Sequence, residues 1–127
     1  MVDSRLPDEV RALVQNHLSS MTHLEALILL SGSPDTALTA HEIAQGIGSD
    51  PDTAVRALRD LRSASLVAEA DTEGGPRYRF APGSEALRHA AGALSEMYTR
   101  FPVQVIRAVY ERPSPVQQLA DAFRVRK

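Results

Sequence analysis

The chain has 127 residues, is 43% apolar and carries a formal net charge of −2, enough for one compact domain with its own core and too apolar for a disordered chain. It contains no cysteine, which excludes disulfides, thiolate metal sites and cysteine-based catalysis. No apolar run approaches the ~18 residues of a spanning helix, and the N-terminal MVDSRLPDEV lacks the basic-then-apolar layout of a secretory leader, so one cytoplasmic domain over residues 1–127 is expected.

Pro7-Asp8-Glu9 reads as a helix start, with proline in the first turn and acids facing the positive end of the helix dipole. Val10, Leu13, Val14 and Leu18 follow at helical spacing. Ser19-Ser20 interrupts, and Met21, Leu24, Leu27, Ile28 and Leu30 predict a second, more deeply buried helix that ends at Gly32-Ser33-Pro34. Thr39-Ala40-His41-Glu42 has the form of a capping box. It opens a short helix that buries Ile43, Ala44 and Ile47 and stops at Gly46 to Gly48. Asp50-Pro51 caps another helix with Ala54, Val55, Leu58 and Leu61 as its inward stripe. Val67–Ala70 and Arg77–Phe80 alternate as strands and are expected to pair as a hairpin across a loop over residues 71–76. Ser84 caps a long helix carrying Leu87, Ala90, Ala91, Leu94, Met97 and Tyr98. Pro102 interrupts it, either as a kink or as a break. Val103, Val105, Ile106, Val109 and Tyr110 form a further apolar stretch up to Arg112-Pro113. A last helix with Val116, Leu119, Ala120 and Phe123 precedes the basic end Arg124-Val125-Arg126-Lys127.

The order of two short helices followed at once by a hairpin is that of a winged helix-turn-helix, here residues 38–82. LTAHEIAQGIG, the capped DPDTAVRALRDLRSASLV and the closing RYRF resemble the winged-helix domains of bacterial MarR-like transcriptional regulators. The segments FPVQVIRAVYERP and LADAFRVRK are similar to a recurring tail of small bacterial winged-helix proteins, a likeness that implies no particular activity. The resemblance implies a mainly α fold, with a three-helix core, a β-hairpin wing and additional N- and C-terminal helices. It fixes the fold better than the function, since the same domain serves DNA binding, dimerisation and protein docking.

In a winged helix the second helix of the motif enters the major groove and the hairpin reaches a neighbouring groove or phosphate. The resemblance therefore makes Arg56 and Arg59 candidates for guanine edges or phosphates, and Thr53 for a phosphate or a base methyl. Gln45, with His41, is placed to meet the backbone from the preceding helix, and Arg77 and Arg79, two apart on one strand, to follow phosphates from the wing. Charge argues the other way. Residues 38–82 carry five arginines against seven acids. Asp50 and Asp52 at the helix entry and Asp71 and Glu73 at the wing tip all repel phosphate, and Arg56 and Asp60 are spaced to pair with each other. Residues 1–37 have a net charge of −3 and residues 83–127 of +3, so no global positive field draws in nucleic acid.

His17, His23, His41 and His89 show no metal-ligand spacing and read as surface or partly buried histidines. No serine sits in a nucleophile elbow, and Gly46-Ile47-Gly48 reads as a helix stop and not a dinucleotide loop. Neither an enzyme nor a cofactor is expected. Tyr98, Phe101, Tyr110 and Phe123 pack the last helices onto the core or line a dimer interface. Leu87, Leu94, Met97 and Ile106 exceed what one small core covers, which points to a homodimer built from residues 83–127. Arg124, Arg126 and Lys127 are a solvated end or a contact to nucleic acid or another acidic partner. The leading expectation is a homodimeric regulator of transcription that binds duplex DNA through residues 50–64 and the wing at 67–81. Its rivals are an adaptor that binds another protein and no DNA, and a ligand-responsive sensor with a pocket between the core and the C-terminal helices.

Overall fold

The structure, a computed structural model, describes residues 6–110. Its elements are α1 (Asp8–His17), α2 (Met21–Ser31), β1 (Leu38–Thr39), α3 (Ala40–Ile47), α4 (Pro51–Ser63), β2 (Val67–Thr72), β3 (Gly75–Phe80), α5 (Glu85–Arg100) and α6 (Pro102–Tyr110). They form a winged helix flanked by α1 and α2 before it and α5 and α6 after it. The expected helix at residues 116–123 and the basic end, with Phe123, Arg124, Arg126 and Lys127, lie outside the described residues. Among the described residues no helix is long and apolar enough to cross a membrane.

Local chemistry sets the helix ends. Thr39 Oγ1 accepts from the Glu42 amide at 3.1 Å while Glu42 Oε1 accepts from the Thr39 amide at 2.9 Å, which satisfies two of the donors that a helix start leaves without partners. Asp50 caps α4 by accepting from the Thr53 amide at 2.9 Å, and Ser84 caps α5 through the Leu87 amide at 3.1 Å. Helix α3 runs through Gly46 and closes on Gly48, which takes the left-handed conformation at φ 70. The stop therefore belongs to Gly48 alone, because only the residue after the last turn must leave the right-handed region. Phe101 leaves the helical region at φ −134, and Pro102 is the first residue of α6. Pro102 thus marks a break between two helices and not a kink, since proline suits a first turn and not an interior one.

Leu24, Leu27 and Leu30 of α2 are buried at the centre of one core. Helix α2 packs against α3, α4, α5 and β3. Within α4 the buried positions are Ala54, Ala57, Leu58 and Leu61. Val55, expected inward, is half-buried, because Ala57 sits one helical turn before Leu61 and nearer the centre of the stripe. Leu94 is fully buried, and Leu87 and Met97 pack against the core from its edge.

The hairpin is longer and its turn tighter than the alternation suggested. Thr72 pairs with Gly75, leaving Glu73-Gly74 as the turn. Thr72 Oγ1 donates to the Gly75 carbonyl at 2.6 Å and Gly75 adopts φ 104, a conformation that glycine reaches without the Cβ clash. A third strand, β1, adds to β3 with Leu38 opposite Tyr78 and Thr39 opposite Arg77, so β3 is the central strand of the wing. Pro76 lies past the last β1 pair, where no strand partner calls for its missing N–H.

Candidate nucleic-acid interface

Because Ala54, Ala57, Leu58 and Leu61 face inward, the opposite face of α4 presents Asp52, Arg56, Arg59, Asp60 and Ser63 to solvent. Neither Arg56 nor Arg59 joins an ion pair among the described residues. Arg79 on β3 is exposed and likewise unpaired among them, and Gln45 on α3 is exposed. Thr53 is half-buried, and its hydroxyl donates to Asp50 Oδ1 at 2.6 Å, so the helix cap already occupies it.

Arg77 differs from Arg79. It is half-buried, and its Nη1 donates to the Ala37 carbonyl at 3.2 Å and lies 3.5 Å from Glu42 Oε1. It clamps the central wing strand to the segment that enters α3. Nothing local in RYRF announces this, since Ala37 lies forty residues away; the signal was β1, too short to show any alternation.

The acids of this surface are mostly engaged. The Thr39 amide, aided by the Thr39 hydroxyl and the Arg77 charge, holds the Glu42 carboxyl below its usual range. The Thr53 hydroxyl and then the Thr53 amide do the same for Asp50. Glu69 Oε1 accepts from Arg62 Nη1 at 2.8 Å. Asp60 does not pair with Arg56, one turn before it; its Oδ2 lies 2.8 Å from Nε2 of His23 on α2. His23 is buried, not on the surface, and its Nδ1 meets Ser20 Oγ at 2.7 Å. The pairing prevails because the ring is held rigidly by the core, whereas an arginine in water loses side-chain freedom on pairing. A polar residue amid the apolar positions of α2 was the sequence signal for it. Asp52, Asp71 and Glu73 make no ion pair among the described residues. Burial of Tyr78 beneath the sheet pushes its phenol pKa up.

Two grooves flank this surface. One of about 360 Å³ is lined by Asn16, His17, Ser19, His23, Asp60 and Ser63. One of about 200 Å³ lies between α2, α3 and α5, against Glu25, Leu29, Gly46 and Tyr98. Among the described residues no three histidine or carboxylate side chains gather as a metal site.

No protein-family model and no curated protein matches the chain by sequence. Solved structures match it by fold. A MarR-family transcriptional regulator from Silicibacter pomeroyi superposes with a TM-score of 0.54 at 16% identity, over 93% of this chain and 75% of that one. The transcriptional repressor BigR from Xylella fastidiosa gives 0.51 at 25% identity, over 73% and 84%. BpsR from Bordetella bronchiseptica, whose DNA binding is regulated by 6-hydroxynicotinic acid, gives 0.52 at 15% identity, over 92% and 82%. The fold is the winged helix that MarR-type regulators carry.

Proposed function

We propose that this chain is a non-enzymatic regulator of transcription in the cytoplasm, reading duplex DNA with α4 and steadying it with the wing. One observation carries the reading: on a surface whose formal charge is negative, Glu42, Asp50, Asp60 and Glu69 are engaged by protein donors, while Arg56, Arg59 and Arg79 are exposed without a carboxylate partner among the described residues. A phosphate backbone therefore meets guanidinium groups that no carboxylate holds in an ion pair among the described residues, although the Arg56 charge also acts on the Asp50 carboxyl. Arg56 and Arg59 supply base or phosphate contacts from α4, Arg79 supplies them from the wing, and Gln45 meets the backbone from α3. Thr53 and Arg77 serve chiefly by holding the helix cap and the wing in place.

A homodimer fits this role, because two reading helices related by a two-fold axis match two half-sites. Val103 and Tyr110 on α6, the large apolar side chains that stay exposed among the described residues, fit such an interface.

Fluorescence anisotropy with mixed genomic duplexes at rising salt tests the proposal. Binding should weaken steeply with salt and should fall in Arg56→Ala and Arg79→Ala. A wild-type chain that binds no duplex at low salt overturns it and leaves the protein-binding adaptor, for which Asp52, Asp71 and Glu73 would be the contact surface.

A further inference from the structure

His23 is the polar side chain buried in the core of the described residues, and it is bonded at both ring nitrogens. An ionised carboxylate can only accept, so Nε2 carries the proton toward Asp60 Oδ2 at 2.8 Å. In the neutral ring Nδ1 then accepts, and the Ser20 hydroxyl donates to it across 2.7 Å. Ser20 Oγ also accepts from the His23 amide at 3.3 Å as the cap of α2. The imidazole is thus oriented by a helix cap on one side and aims a fixed donor at α4 on the other. The Asp60 side chain is 63% exposed, so no burial compels it to accept this donor.

On α4, Asp60 and Arg56 stand one turn apart on the outer face, the spacing at which arginine and aspartate pair. No ion pair joins them among the described residues, because the carboxylate is turned toward α2. Asn16, His17 and Ser63 line the groove around that contact, and the Arg56 charge also acts on the Asp50 carboxyl at the start of α4 without forming an ion pair with it.

We propose that His23 is a positioning residue for DNA reading: by holding Asp60 against α2 it keeps Arg56 available to phosphate. This rests on the DNA-binding reading above. His23 touches no nucleic acid itself. It acts through Asp60, so its effect requires a carboxylate at residue 60.

The test compares His23→Asn, which keeps a partner for Ser20 but is too short to reach Asp60, with His23→Gln, whose amide nitrogen takes the place of Nε2. Affinity for a duplex is measured across salt in both variants, each with Asp60 and with Asp60→Asn. His23→Asn should weaken binding about two- to five-fold, the range of an exposed ion pair, and flatten the salt dependence by up to about one phosphate contact. His23→Gln should bind as the unaltered chain does, and in the Asp60→Asn background His23→Asn should change nothing. An equal loss in both backgrounds, or no loss in either, overturns the proposal. If His23→Asn does not fold, His23→Leu, of similar volume and without the donor, takes its place. The guanidinium NMR signal of Arg56 gives a readout independent of DNA. It should report slowed exchange from a new pairing in the variant and not in the unaltered chain, and the absence of any change overturns the positioning role even if DNA reading itself fails.

Discussion

Arg62 in the last turn of α4 donates to Glu69 on β2 at 2.8 Å, tying the end of the reading helix to the first strand of the wing. Arg62 is 59% exposed and Glu69 26%, so water screens much of the attraction. Glu69→Ala should therefore lower the unfolding free energy by less than about 1 kcal/mol, and most of that loss should vanish in high salt. Urea denaturation at two salt concentrations checks this. A loss well beyond that range would mean that the pair fixes the packing of the wing and does more than trim its angle.

Arg77 and Arg79 leave the same face of β3, yet they should answer differently to removal. Arg79→Ala should leave the melting temperature unchanged, weaken DNA binding and reduce the salt slope by about one contact. Arg77→Ala breaks the hydrogen bond to the Ala37 carbonyl and should cost about 1 kcal/mol of stability as well. Thermal melts run beside the anisotropy measurement separate the two. Equal stability of both variants would refute the clamp.

This contrast shows where the sequence was legible. Caps were, because Thr39 with Glu42, Asp50 with Thr53 and Ser84 with Leu87 each act across three residues. The helix order was too, since each apolar stripe repeats along one local period. Ala57 joins the buried stripe and Val55 sits at its margin, because the pattern of a stripe gives its direction and not its edges. The third strand was missed because Leu38 and Thr39 are too few to alternate, and with it went the anchoring of Arg77. His23 with Asp60, and Arg62 with Glu69, are choices among partners that only the packed chain brings together. The candidate residues on α4 were readable as a face; which of them remain without a carboxylate was not.

Acid should unfold the chain partly through its caps. The carboxyls of Glu42 and Asp50 both titrate below their usual values in the fold, Glu42 chiefly because of the Thr39 amide and Asp50 chiefly because of the Thr53 hydroxyl. A carboxyl whose value is lowered by folding contributes stability above its unfolded value and loses it as pH falls through the folded one. Stability should therefore decline as pH drops through and below about 4, the ordinary carboxylate range. Glu42→Gln and Asp50→Asn should each start less stable near neutrality and decline less on acidification. Denaturant midpoints across pH provide the measurement, and a variant whose acid decline matches the unaltered chain would show that its cap does not titrate with folding.

Gly46 and Gly48 should respond to alanine with opposite signs. Gly48 takes φ 70 with open space around the position a Cβ would occupy, so the penalty is conformational alone, about 1 to 2 kcal/mol for a residue with a Cβ in that region. Gly46 lies inside α3, where alanine gains up to about 1 kcal/mol in helix propensity. A Cβ there would meet Leu29 Cδ2 at 3.0 Å. That atom ends a flexible, half-buried side chain, which can turn by the few tenths of an ångström required, so the propensity gain exceeds the crowding. Gly46→Ala should raise stability by less than about 1 kcal/mol, whereas Gly48→Ala should lower it by at least as much. Chemical denaturation of the two variants decides the matter. A destabilised Gly46→Ala would mean that Leu29 is wedged between α2 and α3 and that close approach of those helices, more than backbone freedom, accounts for the glycine.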